Sequence, residues 1–319
     1  MSSAGNPPPG GSRYVPPPPP PPPSAPSPAA PTAAPSANAG LQLVAQGKYA
    51  EALPHVQALT GAYPQWPDGW VALAKTLNKL HHPDEAMSAV ERALAINPRS
   101  ADALAVKSRI LTRQDHYEAA RAAAEQAVAI DPRSYDGLYA LGVALRFLDY
   151  YEAALQPLDS CLAFYPGQVE PLAQKGIILA LMDRGQESVS TCQRATKMAP
   201  QNAVTWLALS MAWTSVGRYQ DALQAIDRAL SLDANDPDNW SAKGAILAEA
   251  GKYSDAIHAL DKSLSLNPDN QAVAEARRDI ANYRGARNRA RAGHVSRGIL
   301  AVLWGAFVEF WKAVFKGLV

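Results

Sequence analysis

Through most of this chain the apolar residues fall three and four places apart, in stretches of about 12–14 residues separated by short polar corners, the spacing of a helix with one buried face. The stretches come in pairs, and a proline closes all but one of them. Pro64, Pro98, Pro132, Pro166 and Pro200 are each 34 residues apart. Pro268 falls two periods beyond Pro200, and Ala234 fills the slot between, with Pro237 just after it. A fixed period of this length means one helix-turn-helix unit stacked on copies of itself, because a lone pair cannot bury its own apolar face.

Aligned on that proline, other columns appear. The eleventh place of successive units holds Leu43, Leu77, Leu111, Leu145, Leu179, Trp213 and Leu247. The fourth holds Trp70, Leu104, Leu138, Leu172, Trp206 and Trp240 from the second unit on. The eighth, where two helices must approach closely, is always small: Gly40, Ala74, Ser108, Gly142, Gly176, Ser210 and Gly244. Corners read Gly47-Lys48-Tyr49, Gly217-Arg218-Tyr219 and Gly251-Lys252-Tyr253, and a small residue follows each, as Ala52, Ala222 and Ala256 do.

These columns resemble the tetratricopeptide repeat family, whose pattern places Trp, Leu-Gly, Tyr, Ala, Phe, Ala and Pro at these offsets. The resemblance covers residues 33–270 and implies an all-α, right-handed α-solenoid of about seven units: 33–66, 67–100, 101–134, 135–168, 169–202, 203–236 and 237–270. The pattern departs from the family at Ser36, where the first unit lacks its aromatic, and at Pro83 and Gly185, which replace the corner tyrosine. Within the solenoid, 36–270, Gly or Asp ends the first helix and proline stops the second in most units. Asp68, Asp102, Asp136, Glu170 and Asp238 recur at the starts of first helices, where an acid suits the helix dipole, and are read as caps. Pro54 and Pro157 fall inside second helices, so kinks or late helix starts are expected there. Residues 271–283 read as a capping helix with Ala272, Ala274, Ala276 and Ile280 turned inward.

Composition sharpens the picture at both ends. The chain of 319 residues is 48 % apolar with a net charge of +1, which argues against a wholesale nucleic-acid binder. Charge is nonetheless uneven: residues 271–319 carry nine Lys and Arg against three acids, and the repeats are acidic. Residues 1–35 hold prolines 7–9 and an unbroken run from Pro16 to Pro23, and read as a disordered segment with a polyproline II rod. That rod is either a spacer or a ligand for an aromatic groove. No secretory signal opens the chain, so a cytoplasmic location is expected. Cys161 and Cys192 have neither metal nor disulfide-framework spacing and read as packed core.

Chemistry is hard to find. Gly-Lys at 47–48 and 251–252 lacks the upstream glycine loop of a nucleotide site, and no nucleophile elbow or His-Glu-x-x-His is present. His81, His82 and His116 occupy adjacent corners beside Asp84 and Asp115, but the same slots hold Lys48, Arg218 and Lys252 elsewhere, so solvated corners explain them better than a metal. No enzyme activity, cofactor, metal, nucleic acid or small-molecule substrate is expected. What remains is recognition of a protein or peptide. The resemblance implies that the first helices line a concave groove through places 2, 5, 9, 12 and 13. There stand Lys75, Asn78, Lys79, Arg109, Thr112, Arg113 and Arg146, then Ile177, Leu181, Leu207 and Met211, a groove basic at one end and apolar at the other. Family members that bind chaperone tails use a Lys/Asn/Arg clamp. Its lysine and asparagine slots hold Val71 and Lys75 here, or Ala105 and Arg109, so that clamp is not matched.

The tail follows a different rule. An acid-free linker, 284–297, carries Arg284, Arg287, Arg289, Arg291 and Arg297, and an apolar stretch, 298–319, closes the chain. Glu309, Lys312 and Lys316 share one helical stripe with Gly298 and Gly305, opposite Trp304, Phe307, Trp311 and Phe315. This segregation suits a helix lying in an anionic membrane interface, with the arginines adding attraction. The stretch is also long enough to span a bilayer, and docking on the protein's own repeats is the alternative. The expectation is a scaffold whose groove binds a partner and whose tail tethers it to a membrane; the other reading is a soluble repeat protein with a self-docking tail.

Overall fold

The computed structural model describes residues 35–290, and side chains from 39 to 283. The described residues form fifteen α-helices and no strand. First helices are α1 (Pro35–Ala45), α3 (Pro67–Lys79), α5 (Ala101–Arg113), α7 (Tyr135–Phe147), α9 (Glu170–Leu181), α11 (Ala203–Ser215) and α13 (Pro237–Glu249). They alternate with second helices α2 (Tyr49–Ala62), α4 (Pro83–Ile96), α6 (Tyr117–Ile130), α8 (Tyr151–Phe164), α10 (Gly185–Met198), α12 (Tyr219–Leu232) and α14 (Tyr253–Leu266). Each second helix packs against its own first helix and the first helix of the next unit, which makes an α-solenoid.

Local chemistry sets the boundaries. Every first helix ends at a left-handed residue, glycine at Gly47, Gly217 and Gly251 and a non-glycine at His81, Asp115, Asp149 and Asp183. The residue after it closes a six-residue backbone hydrogen bond, as His82 N–H to Leu77 O at 2.9 Å and Arg218 N–H to Trp213 O at 2.9 Å. Aspartate tolerates this conformation best among the charged residues, and Asp115 and Asp149 are further held by the hydroxyls of Tyr117 and Tyr151 at 2.5 and 2.7 Å. Where tryptophan fills the fourth place it ties its unit to the last: the indole N–H of Trp70, Trp206 and Trp240 donates to Pro64, Pro200 and Ala234 carbonyls at 2.8–3.0 Å. The bond survives at Ala234, and α12 still ends at Leu232, in register with the other second helices, so neither feature depends on the proline.

Two expectations change. Helices α2 and α8 start at Tyr49 and Tyr151, in register with the rest, so Pro54 and Pro157 delay neither. They are the sixth and seventh of 14 residues, so each removes one amide bond from the helix interior without ending the helix. Pro83 and Gly185 are simply the first residues of α4 and α10. The capping helix is longer than 271–283: α15 runs from Gln271 to Ala290, into the segment read as a linker, because alanine and arginine are strong helix formers. The proline-rich segment up to residue 34 lies outside the described residues.

The third place of a first helix packs on the preceding second helix, as Gly69 does near Leu59 and Gly137 near Ala127. Asn239 holds that slot in α13, is 1 % exposed, and both its amide oxygen and nitrogen lack a partner among the described residues. A buried amide without bonds costs about 1–3 kcal/mol. Asn239→Ala is therefore expected to raise the urea midpoint, with a gain of about 1–2 kcal/mol that includes alanine's better helix propensity. A lower midpoint would show that the amide is bonded after all.

Candidate functional site

The first helices stand side by side, with neighbouring axes about 10 Å apart, so on a flat row α3 and α7 would lie about 20 Å apart with α5 between them. Yet Lys75 Nζ on α3 meets Asp136 Oδ2 on α7 at 2.6 Å, and Arg109 Nη1 on α5 lies 3.3 Å from Asp136 Oδ1. A lysine and an aspartate cannot bridge a flat row. The row is curved, and these three side chains lie on its inner face.

Other charges reach across the same curve. The Lys79 ammonium is pushed down to about 8 by burial and by Arg109 and Arg113, while Glu170 and Asp136 work the other way. Arg113 Nη1 donates to His81 Nδ1 at 3.1 Å, and burial with this guanidinium lowers the His81 pKa, which keeps the ring a neutral acceptor. Arg113 also lies within electrostatic reach of Asp238 on α13, four units away. Cations thus occupy the later turns of α3 and α5, and acids the first turns of α7, α9 and α13. In α11 the acid's place is taken by Val204.

The recurrent acids do lie in first turns, where they suit the helix dipole, but they do not make the capping bonds. The side-chain bonds that cap first helices come two residues earlier: Ser100 Oγ accepts from Ala103 N–H, Ser134 Oγ from Gly137 N–H, Asn202 Oδ1 from Val204 N–H, and Asp236 Oδ1 from Asp238 N–H. Asp136 is instead a hub for two cations from other units. Its carboxyl is held below the usual range against the penalty of burial, by Arg109 first and then Lys75.

The other expected groove residues divide. Lys75, Lys79, Arg109 and Arg113 are half-buried on the inner face, where the spacing puts them. Asn78, Thr112 and Arg146 are 2 %, 1 % and 2 % exposed. The Thr112 hydroxyl is spent on the Ser108 carbonyl, 2.9 Å, and the Arg146 guanidinium lies over the Phe147 ring, 4.1 Å from its centroid. Ile177, Leu207 and Met211 are core, and of the apolar end only Leu181 stays partly exposed. The reason is that α9 and α11 pack directly on each other, with the small residues Ala173, Ala208 and Ala212 in the same cluster.

The structure adds a buried polar layer that the pattern did not suggest. Gln174 Nε2 donates to the Tyr139 hydroxyl at 3.3 Å, and Tyr135 stacks on Tyr139 and donates to Glu170 at 3.3 Å. Gln174 Oε1 has no partner among the described residues, and neither do the buried Asn78 Oδ1, Arg109 Nε and Arg113 Nε on other first helices. The hint in the sequence is small. Gln174 and Lys175 together interrupt the apolar run of α9, and nothing in the pattern says that only Gln174 is buried.

Arg284, Arg287 and Arg289 fall in the last turns of α15, beyond the described side chains. Arg291, Arg297, Trp304, Phe307, Trp311 and Phe315 lie outside the described residues, as does the whole apolar stretch 298–319. Among the described residues no helix is long and apolar enough to cross a membrane.

Models of the tetratricopeptide repeat match residues 43–110, 106–169 and 210–281, together well over half of the chain. No curated protein matches the sequence. Among solved structures, a chain of the APC/C hetero-tetramer Cut9–Hcn1 superposes with a TM-score of 0.60 at 18 % identity, over 72 % of this chain and 45 % of its own length. A tetratricopeptide repeat protein from Parabacteroides merdae gives a TM-score of 0.58 at 16 % identity, over 75 % of this chain and 95 % of its own. The chain thus spans less than half of the first of these. At such identities the likeness is one of fold.

Proposed function

Because the chain belongs to the tetratricopeptide repeat family, we propose that it is a non-enzymatic scaffold that receives a segment of a protein partner on the inner face of its first helices. The observation that carries this reading is the gathering of Lys75, Lys79, Arg109 and Arg113 on the inner side of α3 and α5, half-buried and more numerous than the carboxylates bonded to them. Desolvating four cations together is unfavourable for the empty protein, and a partner that brings negative charge relieves it. The buried end around Ile177, Leu207 and Met211 supports no part of this reading.

The test is partner capture by the full chain, repeated with the groove altered. Arg109 is a poor choice for charge reversal, since a glutamate beside Asp136 would place two carboxylates together and lower stability by itself. Lys79→Gln with Arg113→Gln avoids that, because the ammonium of Lys79 is already disfavoured by burial. The double variant is expected to keep its thermal midpoint, to capture several-fold less partner, and to lose most of the salt dependence of what it still captures. Capture equal to that of the unaltered chain would move the partner to another surface.

A further inference from the structure

We propose that Lys75 and Arg109 form the seat for an acidic side chain of the partner segment, and that Asp136 fills this seat in the empty protein and must be displaced for the partner to enter. The inference rests on the groove reading above and gives that groove its ligand chemistry and its barrier.

The fold does not need an acid at 136. Helix α7 is already capped by Ser134, whose hydroxyl accepts from Gly137 N–H at 3.0 Å, and α11 carries Val204 in the equivalent place. What Asp136 does is bring one carboxylate to two cations from two other units, Lys75 at 2.6 Å and Arg109 at 3.3 Å. Its contacts are those that a ligand carboxylate would make there: one oxygen on an ammonium, the other on a guanidinium.

The seat also holds more donors than Asp136 uses. The Nε–H groups of Arg109 and Arg113 are buried without an acceptor among the described residues. Lys79 stands close enough to Arg109 and Arg113 for their charges to lower its pKa. With Glu170 in reach of Lys79 and Asp238 in reach of Arg113, three carboxylates face the four cations, and at the seat itself Asp136 alone serves both Lys75 and Arg109, so a ligand carboxylate would be accepted in its place. The seat is also open to exchange: the side chains of Lys75, Arg109 and Asp136 are 27 %, 14 % and 19 % exposed, so none is sealed in the core. Swapping one carboxylate for another keeps both cations paired throughout. A segment without an acid has nothing to offer in exchange, and a basic one meets four cations. Asp136 therefore acts as a selectivity filter, set against weak or uncharged ligands.

The probe is fluorescein-labelled hexaglutamate amide, with hexalysine amide as its opposite, titrated into the full chain at low salt and followed by anisotropy. Hexaglutamate is expected to bind weakly to the unaltered chain and on the order of tenfold more tightly to Asp136→Asn, which leaves both cations without their carboxylate. Hexalysine is expected to bind neither. If Asp136→Asn binds hexaglutamate no better than the unaltered chain, Asp136 is a structural strut and the proposal is overturned. Should the variant not fold, carboxyl carbon shifts of Asp136 in the unaltered chain decide instead. On saturation with hexaglutamate its titration should return toward the ordinary aspartate range; an unmoved titration with peptide bound overturns the proposal equally. Failure of hexaglutamate to bind either chain also ends it, while the groove reading stands or falls separately on partner capture by the Lys79 and Arg113 variant.

Discussion

Replacing Gly176 with alanine is expected to cost about 2–3 kcal/mol, and adding Cys192→Ala to the same chain is expected to return most of that loss. Gly176 is the small eighth place of α9, where α10 crosses most closely. A methyl group on it would overlap Cys192 Sγ, whereas Cys192 Cβ would stand at a comfortable 3.7 Å. The approach is pinned by Ser188, whose hydroxyl donates to the Gly176 carbonyl at 2.7 Å, so the helices cannot simply slide apart. Alanine is the better helix former by about 1 kcal/mol, so a net loss appears only if the overlap outweighs that gain. Cys192 is fully buried, and its thiol is pushed up to about 12 by desolvation, so it acts here as an inert packing atom. Urea unfolding of the four chains completes the cycle. A neutral Gly176→Ala would mean that α9 and α10 have more room than their contact implies, and an additive double variant would mean that the overlap lies elsewhere.

The same eighth place shows why so much of the fold was legible. Everything that sets a helix boundary here acts within a few residues: the left-handed corner at Asp115 or Gly217, the cap at Ser100 or Ser134, the proline after the second helix. Such signals repeat with the period, so each unit checks the next. Curvature is different. It is the sum of small rotations between units, and no single unit records it. The period says that Lys75 and Asp136 lie on inner faces, but not that they meet two units apart, nor that Arg113 feels Asp238 across four. For the same reason Asp136 reads like Asp102, although Asp136 is an ion-pair hub and Asp102 stays exposed. The burial of Ile177, Leu207 and Met211 likewise depends on how tightly α9 and α11 close, which their alanines permit but do not announce.

Raising the pH from about 5 to about 8 is expected to destabilise the protein, by a combined amount on the order of 2–4 kcal/mol. Burial pushes the Asp238 carboxyl up to about 7 from 3.8, with neighbouring Asp236 adding to it and Arg113 working the other way. Burial alone pushes Glu249 up to about 7 from 4.5, although a hydrogen bond from Tyr219 favours its charged form. Asp236 is shifted in the same direction by burial and by Asp233. Each of these groups is still protonated in the folded chain at a pH where the unfolded chain has released its proton. The folded state thus binds more protons between about 4 and about 7, and stability falls as pH rises through that window. Other shifted groups do not cancel the trend. Asp136 is held below its ordinary value, so its contribution is complete by pH 5 and is lost only in stronger acid. Lys79, lowered to about 8 from 10.5, sheds its proton early on folding and adds stability only above pH 8. His81, lowered from 6.5, gives a small opposing rise that ends near neutrality. Urea unfolding across this range should show the decline in the unaltered chain. Asp238→Asn and Glu249→Gln should each flatten part of it, and each should raise stability at pH 8, where a carboxylate is otherwise buried against its preference. A flat profile in the unaltered chain, or variants that weaken it at pH 8, would show that both carboxylates are ionised and well paired in the folded protein.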